Sequence, residues 1–535
     1  MADKPVRRYK IYPVDLAIMI TLILLIVLII CLVVGVKPGD KRNPDTNGDG
    51  TVSLADYDGK KIGSITGVDY DDILEEYLPN ATISYYSNYP DMVVALEAGI
   101  IDGFIIDEPA LYPIIKQDPA VGYIPESMSS WDMAFVFSPV KDKGDLCSLM
   151  TEFVRESKKN GVLAEIEEIW FGDDESRKVI PPLDELPNEN GVIRVALETT
   201  YEPIVYVKDK QIVGYEIDIL YRFCQKYHYG MDISDMVFDS VLPAVVSGKY
   251  DIGASGFEIS EEHLEAVDMC ESYYSAGTLL AVNAGDLDTA QHTGEGSPIS
   301  QIGERIWSSI DKNLIKERRW ELVLQGIGVT CLITSLSIFF GSLIGFGICL
   351  LRRSKSRLAN PIFDSYVRII QGIPTVVLLM ILFYVVFGRS NMEAMWVAVI
   401  GFTLSFGAES SVIMRGGLDA VDKGQREAAL ALGFTDLETF FRFLFPQAAV
   451  HFLPMYSAEM ISLLNETSIV GYIAVQDITK MGDIIRSRSY EAAMPLLIST
   501  LVYFLLARVI YLLVGMLLKA IKPHRKKIET KGGDV

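Results

Sequence analysis

Glu409, Arg415, Glu459 and Glu466 fall inside or at the edge of long apolar stretches of the chain. A charge in such a setting is costly, so each marks either a path for a polar solute or a side chain reaching for the membrane surface. Arg415, followed by Gly416 and Gly417, reads as an interfacial anchor. Glu409 and Glu466 read as candidates to line a translocation path. A second chemistry, docking, is suggested by residues 424–448, GQREAALALGFTDLETFFRFLFPQA, a polar insert between apolar stretches. Residues 425–432 are rich in strong helix formers, Gly433 is a natural helix stop, and Asp436 is placed to cap a second helix running to Phe445. Two short helices meeting at a glycine make a protruding corner, with Ala428 and Ala429 as a small surface that another protein's backbone can approach.

Residues 45–56 carry oxygen-bearing side chains at loop positions 1, 3, 5, 9 and 12 and a glycine at position 6. That spacing resembles an EF-hand or dockerin calcium loop, with Asp45, Asn47, Asp49, Thr51, Ser53 and Asp56 as candidate ligands. A strand-like KKIG follows where an exiting helix would stand, and the last ligand is Asp rather than Glu. A solvated linker rich in turn formers is the alternative reading.

Half of the 535 residues are hydrophobic, yet the formal net charge is −22, so a membrane part and an acidic soluble part must be segregated along the chain. Roughly 50 of the 70 acidic residues lie between Lys37 and Glu321, which disfavours nucleic acid as a partner. The six cysteines form no CxxC pair, so neither disulfides nor a thiolate metal site is expected. An apolar run at 16–36 behind Lys4, Arg7, Arg8 and Lys10 reads as a retained anchor with a cytoplasmic N-terminus. Further runs near 323–351, 369–387, 395–414, 452–473 and 493–518 bring the expected spans to about six. Counted from that anchor, residues 37–322 lie outside, and the basic cluster 352–357, the insert 424–448 and the basic tail lie inside.

The expected organisation is a cytoplasmic N-terminus at 1–12, an anchor at 13–36 and a linker with the calcium-loop candidate at 37–57. Two α/β segments, 58–178 and 191–284, follow, joined by a Pro- and Asn-bearing linker at 179–190. A second linker at 285–322 leads to an α-helical membrane domain at 323–520 and a basic cytoplasmic tail at 521–535.

Within the insert, Gly424, Glu427-Ala428-Ala429, Gly433 and Pro446 stand at offsets that resemble the EAA signature of ABC-importer permeases, whose coupling helices dock on a separate ATPase subunit. The match continues through QGIP at 371–374 and LLNETSIVGYIAVQDIT at 463–479, similar to histidine/glutamine-type permease subunits of polar amino acid importers. Residues 191–282, including VIRVALETTYEPIVYV and SGKYDIGASGFEIS, resemble the first lobe of venus-flytrap (type II periplasmic) amino acid binding proteins; residues 58–172 resemble the second. The resemblance implies a fused solute-binding and permease protein of a type I importer, in a bacterial inner or cytoplasmic membrane. It also implies an ABC ATPase, a second permease subunit and a small polar solute as partners. The sequence contains no GxxxxGK[ST] phosphate loop, so ATP hydrolysis is expected of the partner; this chain is expected to be no enzyme and to carry no cofactor besides the calcium candidate.

The lobe order departs from the family, with second-lobe sequence ahead of first-lobe sequence. A permuted domain with a complete cleft is expected; truncation is the alternative. The resemblance places Asp107 at the ammonium-binding position and Tyr201 at the aromatic wall. Along S-G-x-T-x-T-x-x-R the chain reads Ser255, Gly256, Glu258, Ser260 and His263, so the carboxylate-binding arginine is His263 and a hydroxyl has become Glu258. The Gly-Thr donor pair reads Gly67-Val68. Two readings stay open for the cleft, an amine-bearing ligand facing Asp107, Glu258 and Glu198, or a scaffold that binds none. A ligand-sensing receptor that moves nothing is the rival for the whole chain.

Overall fold

The computed structural model describes residues 52–66, 68, 70–140, 144–287, 307–353, 359–388, 390, 392–489, 491 and 493–521. The expected anchor, most of the calcium-loop candidate (45–51), Gly67 and the basic tail lie outside these residues. Asp56, the last candidate calcium ligand, caps the short turn Leu54–Tyr57: one carboxylate oxygen accepts from the Ser53 amide at 2.7 Å and the Ser53 hydroxyl at 2.9 Å. Among the described residues no group of three or more His, Cys, Asp or Glu is arranged to hold a metal.

The α/β part, expected from the sequence to be external, contains β1 (Lys61–Ile65), β2 (Thr82–Tyr86), β3 (Gly103–Asp107), β4 (Val121–Met133), β5 (Val136–Phe137), β6 (Val192–Leu197), β7 (Thr200–Tyr201), β8 (Val205–Lys208), β9 (Gln211–Val213), β10 (Gly230–Asp235), β11 (Ile252–Gly253), β12 (Asp268–Met269) and β13 (Tyr274–Asn283). They form two five-stranded sheets of matching order, β2-β1-β3-β13-β4 and β10-β6-β11-β5-β12, and a small β7-β8-β9 meander. In each large sheet the fourth strand alone runs against its neighbours. Such parallel strands are covered on both faces and become apolar throughout, as in GFIID of β3, where every residue is buried.

The fourth strands are exchanged. The chain leaves the first sheet at Met133 and, across 134–135, supplies β5 to the second; across 270–273 it returns as β13 of the first. The division at 179–190 read from the sequence therefore does not separate the lobes, because each sheet needs a strand from the other's segment. Both sheets are complete, so the cleft has two walls despite the unusual order of its parts.

Helices flank the sheets, including α1 (Asp71–Tyr77), α2 (Tyr89–Glu97), α3 (Tyr215–Tyr227) and α4 (Glu261–Ala266). Asn88 caps α2 by accepting from the Asp91 amide at 3.0 Å, and Pro90 fits the first turn, where its missing N–H has no intrahelical partner to lose.

The membrane part holds α5 (Trp320–Arg353), α6 (Ala359–Gly372), α7 (Thr375–Met380), α8 (Ala394–Asp419), α9 (Lys423–Ala431), α10 (Asp436–Thr439), α11 (Phe445–Glu466), α12 (Ile478–Ser489) and α13 (Ala493–Ile521). Among the described residues α5, α8 and α13 are long and apolar enough to cross a bilayer. The span expected near 369–387 is instead broken, with a bend of 106° between 360–372 and 375–386. Pro374 explains it, since proline cannot donate to the preceding turn and pushes Ile373 out of the helical region. The stretch expected near 452–473 is helical to Glu466 and then tightens into a 3-10 helix, Thr467–Ile473. Between α5 and α8 the backbones nearly touch: a Cβ on Gly345 would lie 1.9 Å from the Ser410 hydroxyl and 2.8 Å from the Gly407 carbonyl. This is the small-residue packing of membrane helices.

The external domain rests directly on this helical part. The Lys249 ammonium donates to the carbonyls of Phe387, Ser390 and Met392 at 3.2, 2.9 and 3.0 Å, closing off a loop end between the broken span and α8.

Candidate functional site

Asp107 ends β3 at the floor of the cleft and is 1% exposed. One carboxylate oxygen accepts from the Tyr70 hydroxyl at 2.6 Å and the Trp131 indole N–H at 2.9 Å; the other accepts from Tyr201 at 2.8 Å and Tyr89 at 3.1 Å. Tyr201 belongs to the opposite lobe, so this bond crosses the cleft. Burial pushes the Asp107 acid above the usual carboxylate range, and the donors from Tyr70, Tyr201, Trp131 and Tyr89 pull against it. The carboxylate assigned by resemblance to a ligand's ammonium is thus fully engaged by the protein's own side chains.

The facing backbone is engaged too. Ser255 and Gly256 adopt positive φ, 115° and 72°, presenting successive amides to one point. That point is the fully buried Glu216 carboxylate on α3, which accepts from the Ser255 amide at 2.7 Å, the Gly256 amide at 2.8 Å and the Tyr273 hydroxyl. A Cβ on Gly256 would sit 2.7 Å from the Tyr201 ring, so only glycine lets that ring reach Asp107. The cleft encloses about 450 Å³ of empty space, its mouth included, between Val68, Tyr89, Asp107 and Trp131 on one side and Glu198, Tyr201, Ser255 and Gly256 on the other.

Glu258, Ser260 and His263 lie outside that lining. Glu258 pairs by backbone with Met133, and Ser260 caps α4 by accepting from the His263 amide at 3.2 Å. The His263 ring takes the Glu258 carbonyl at 2.8 Å through Nδ1 and stands edge-on to Phe257. The structure brings together Asp107, Tyr201, Ser255 and Gly256, and adds Tyr70, Tyr89, Trp131 and Glu216, whose roles the sequence did not announce.

Glu198 is half-buried in the cleft wall, and its acid is pushed up to about 7, by burial first, with Lys480 pulling it down and Asp235 raising it. A carboxyl raised in the folded state contributes stability that is complete below its unfolded value, about 4.5, and lost as pH rises through about 7. The external unfolding transition of the full chain should therefore weaken between pH 5 and pH 8. Glu198→Gln should remove a part of that slope on the order of 1 kcal/mol, read by thermal unfolding across the series. An unchanged slope would refute it.

At the other end of the molecule, Asp422 caps α9, its side chain accepting from the Gly424 amide at 2.6 Å. Gly433 follows with φ +89°, and the amides of Gly433 and Phe434 close the helix end on the carbonyls of Leu430 and Ala429. The second helix is capped by Thr435 rather than Asp436: Thr435 and Glu438 form a reciprocal capping box, which leaves Asp436 to bridge back to Arg426 at 2.7 Å. The corner expected at Gly433 exists, but its small surface is Ala428 alone, because Ala429 packs inward at 3% exposure. Glu427 is exposed, Leu432 and Leu437 stand out at 77% and 72%, and Pro446 opens α11.

In the membrane part Glu409 on α8 and Glu459 and Glu466 on α11 lie within electrostatic reach of one another. The Ser462 hydroxyl donates weakly to Glu466 at 3.4 Å. Among the described residues no Lys or Arg forms an ion pair with any of these carboxylates.

A two-lobed α/β domain is thus seated on helices long and apolar enough to cross a membrane, with a polar corner at Gly433. Residues 337–524 match the family described as binding-protein-dependent transport system inner membrane component. The chain is 33% identical over 217 residues to the L-cystine transport system permease protein TcyB of Bacillus subtilis (strain 168), covering 40% of this chain and 89% of that protein. It is 32% identical over 193 residues to the arginine transport system permease protein ArtQ of the same organism, covering 35% and 87%. A crystal structure of an amino acid ABC transporter with histidines aligns at 29% identity and a TM-score of 0.36, over 39% of this chain and 98% of that one. The chain belongs to this family of integral membrane permease components of amino-acid ABC importers. As such it is a transport component rather than an enzyme, and works with an ATPase and a second permease subunit.

Proposed function

We propose that this permease moves an amine-bearing polar solute inward along a path that includes Glu409, Glu459 and Glu466. The observation that carries this reading is the grouping of those carboxylates with no basic partner among the described residues. In a poorly hydrated path such a grouping attracts a cation and repels a free acid. The relatives' names, L-cystine and arginine transport systems, agree with an ammonium-bearing cargo. A second copy of the chain or a homologue completes the path about a twofold axis. The ATPase sits beneath Glu427 and Gly433, which puts 424–448 and the N-terminus on the cytoplasmic side.

In proteoliposomes containing the full chain and its ATPase, ATP-driven uptake of labelled arginine should be inhibited by excess unlabelled arginine or ornithine and not by glutamate. Inhibition by glutamate alone would reject the reading. A second reading, favoured by the engaged Asp107 and by the amides turned to Glu216, makes the external domain a scaffold that takes up no solute. Calorimetry of the full chain in nanodiscs against arginine, glutamine and putrescine should then give no saturable heat from the cleft. Saturable heat abolished by substitution at Asp107 would restore the receptor reading.

A further inference from the structure

We infer that α12 is an intramolecular clamp: it holds both lobes shut from the membrane side, so that opening of the cleft and movement of the outer ends of the permease helices are one motion. The helix carries three basic side chains, Lys480, Arg486 and Arg488, and each meets a carboxylate of the external domain. Arg486 pairs with Asp91 of the lobe built on β1–β3 at 2.6 Å. Arg488 pairs with Glu202 of the opposite lobe, built on β6 and β10, and lies 4.8 Å over the Tyr206 ring. Lys480, 3% exposed, reaches Asp235 of that same opposite lobe at 3.1 Å and the Met236 carbonyl at 3.3 Å.

The anchor points are placed at the latch itself. Asp91 lies two residues beyond Tyr89, and Glu202 directly follows Tyr201; these two tyrosines donate from opposite lobes to the same oxygen of the Asp107 carboxylate. Arg486 and Arg488 are two positions apart on one rigid helix but hold different lobes. A hinge rotation that separates the lobes must therefore break at least one of the pairs or carry the helix with it.

The other end of α12 is fixed to the membrane spans. Asp477 caps the helix, accepting from the amides of Thr479 and Lys480 at 3.0 Å each, and also from the Tyr503 hydroxyl on α13 at 2.8 Å. A Cβ on Gly326 of α5 would lie 2.9 Å from the Asp477 carbonyl and from Ile478, so that α5 and the start of α12 pack backbone to backbone. The helix is thus welded to two spans at its start and ion-paired to two lobes along its length. Breaking a largely desolvated ion pair leaves an uncompensated charge, which makes these contacts decisive for whether the lobes stay closed.

The test is amide hydrogen exchange on the full chain in lipid nanodiscs, read at residues 88–92 and 198–206. Arg486→Gln removes only the hold on the lobe that carries Asp91. The clamp requires exchange to rise on the order of tenfold in both segments, since releasing one lobe frees the latch between them. The exchanged pair, Asp91→Arg with Arg486→Asp, should restore protection in both, which separates a clamp from a variant that merely folds poorly. A rise confined to 88–92, or an exchanged pair that leaves both segments as exposed as the single variant, would overturn the inference. The measurement needs no transported solute, so it can fail or succeed independently of the proposed cargo.

Discussion

Asp107→Ala lowers the thermal midpoint of the external domain by on the order of 10 °C, an expected cost of about 3 to 5 kcal/mol. The substitution removes the acceptor shared by Tyr70, Tyr89, Trp131 and Tyr201, and leaves these buried donors facing one another. It also opens the cleft, because Tyr201 is the only one of these donors that comes from the opposite lobe. If Asp107 instead served chiefly to hold a ligand's ammonium, alanine would abolish binding and leave unfolding nearly unchanged. Scanning calorimetry of the full chain distinguishes the two, and a shift of less than about 2 °C would refute the latch. Tyr201→Phe, which deletes one donor and keeps the ring against Gly256, should give a smaller loss in the same direction.

The second large effect is expected at the Gly433 corner. Gly433 sits at φ +89° with open space around its α-carbon, so a valine there meets no neighbour but forces the backbone out of the left-handed region. The corner between α9 and α10 then changes direction, and Glu427, Ala428 and Leu437 cease to present one surface. Gly433→Val and Glu427→Ala should each reduce ATP-driven uptake roughly 30-fold or more, equivalent to about 2 kcal/mol at a docking hot spot. The protein should retain its melting behaviour, since the corner is exposed and carries little of the core. Uptake within twofold of wild type in both variants would remove the corner from the coupling path.

The Gly433 corner was legible in the sequence because everything that makes it is local. Gly433 terminates one helix and Thr435 with Glu438 starts the next within six residues. The choice of cap was misread, since Asp436 and Thr435 are both good cap residues and the reciprocal bond to Glu438 decides between them, and so was Ala429, which packs inward beside the exposed Ala428. The external domain was legible as alternating strands and helices, but its partition was not. β5 and β13 are ordinary apolar segments, and nothing in their own residues says that they pair in the lobe they have just left or are about to join.

The cleft shows the same limit more sharply. The sequence offered Asp107 and Tyr201 as ligand contacts, and the structure joins them to each other across 94 positions. Glu216 meets the Ser255 amide across 39 positions, and Lys480 reaches the Met236 carbonyl across 244. A single sequence carries no record of such pairings. The one available signal was chemical: Val68, Glu258 and His263 stand where the resemblance implies groups that bind a ligand's carboxylate, which points away from an ordinary amino acid in the cleft.

In the proposed arrangement this permease subunit is driven by a separate ATPase docked at 424–448. Affinity purification of the full chain from membranes in which a cognate ABC ATPase is co-expressed, with ATPase turnover measured on the purified complex, tests it directly. The ATPase should co-purify with the wild type, and should be lost from a variant carrying Glu427→Ala and Gly433→Val together. A chain that purifies without any ATPase, or a doubly substituted chain that retains it in full, would contradict the account.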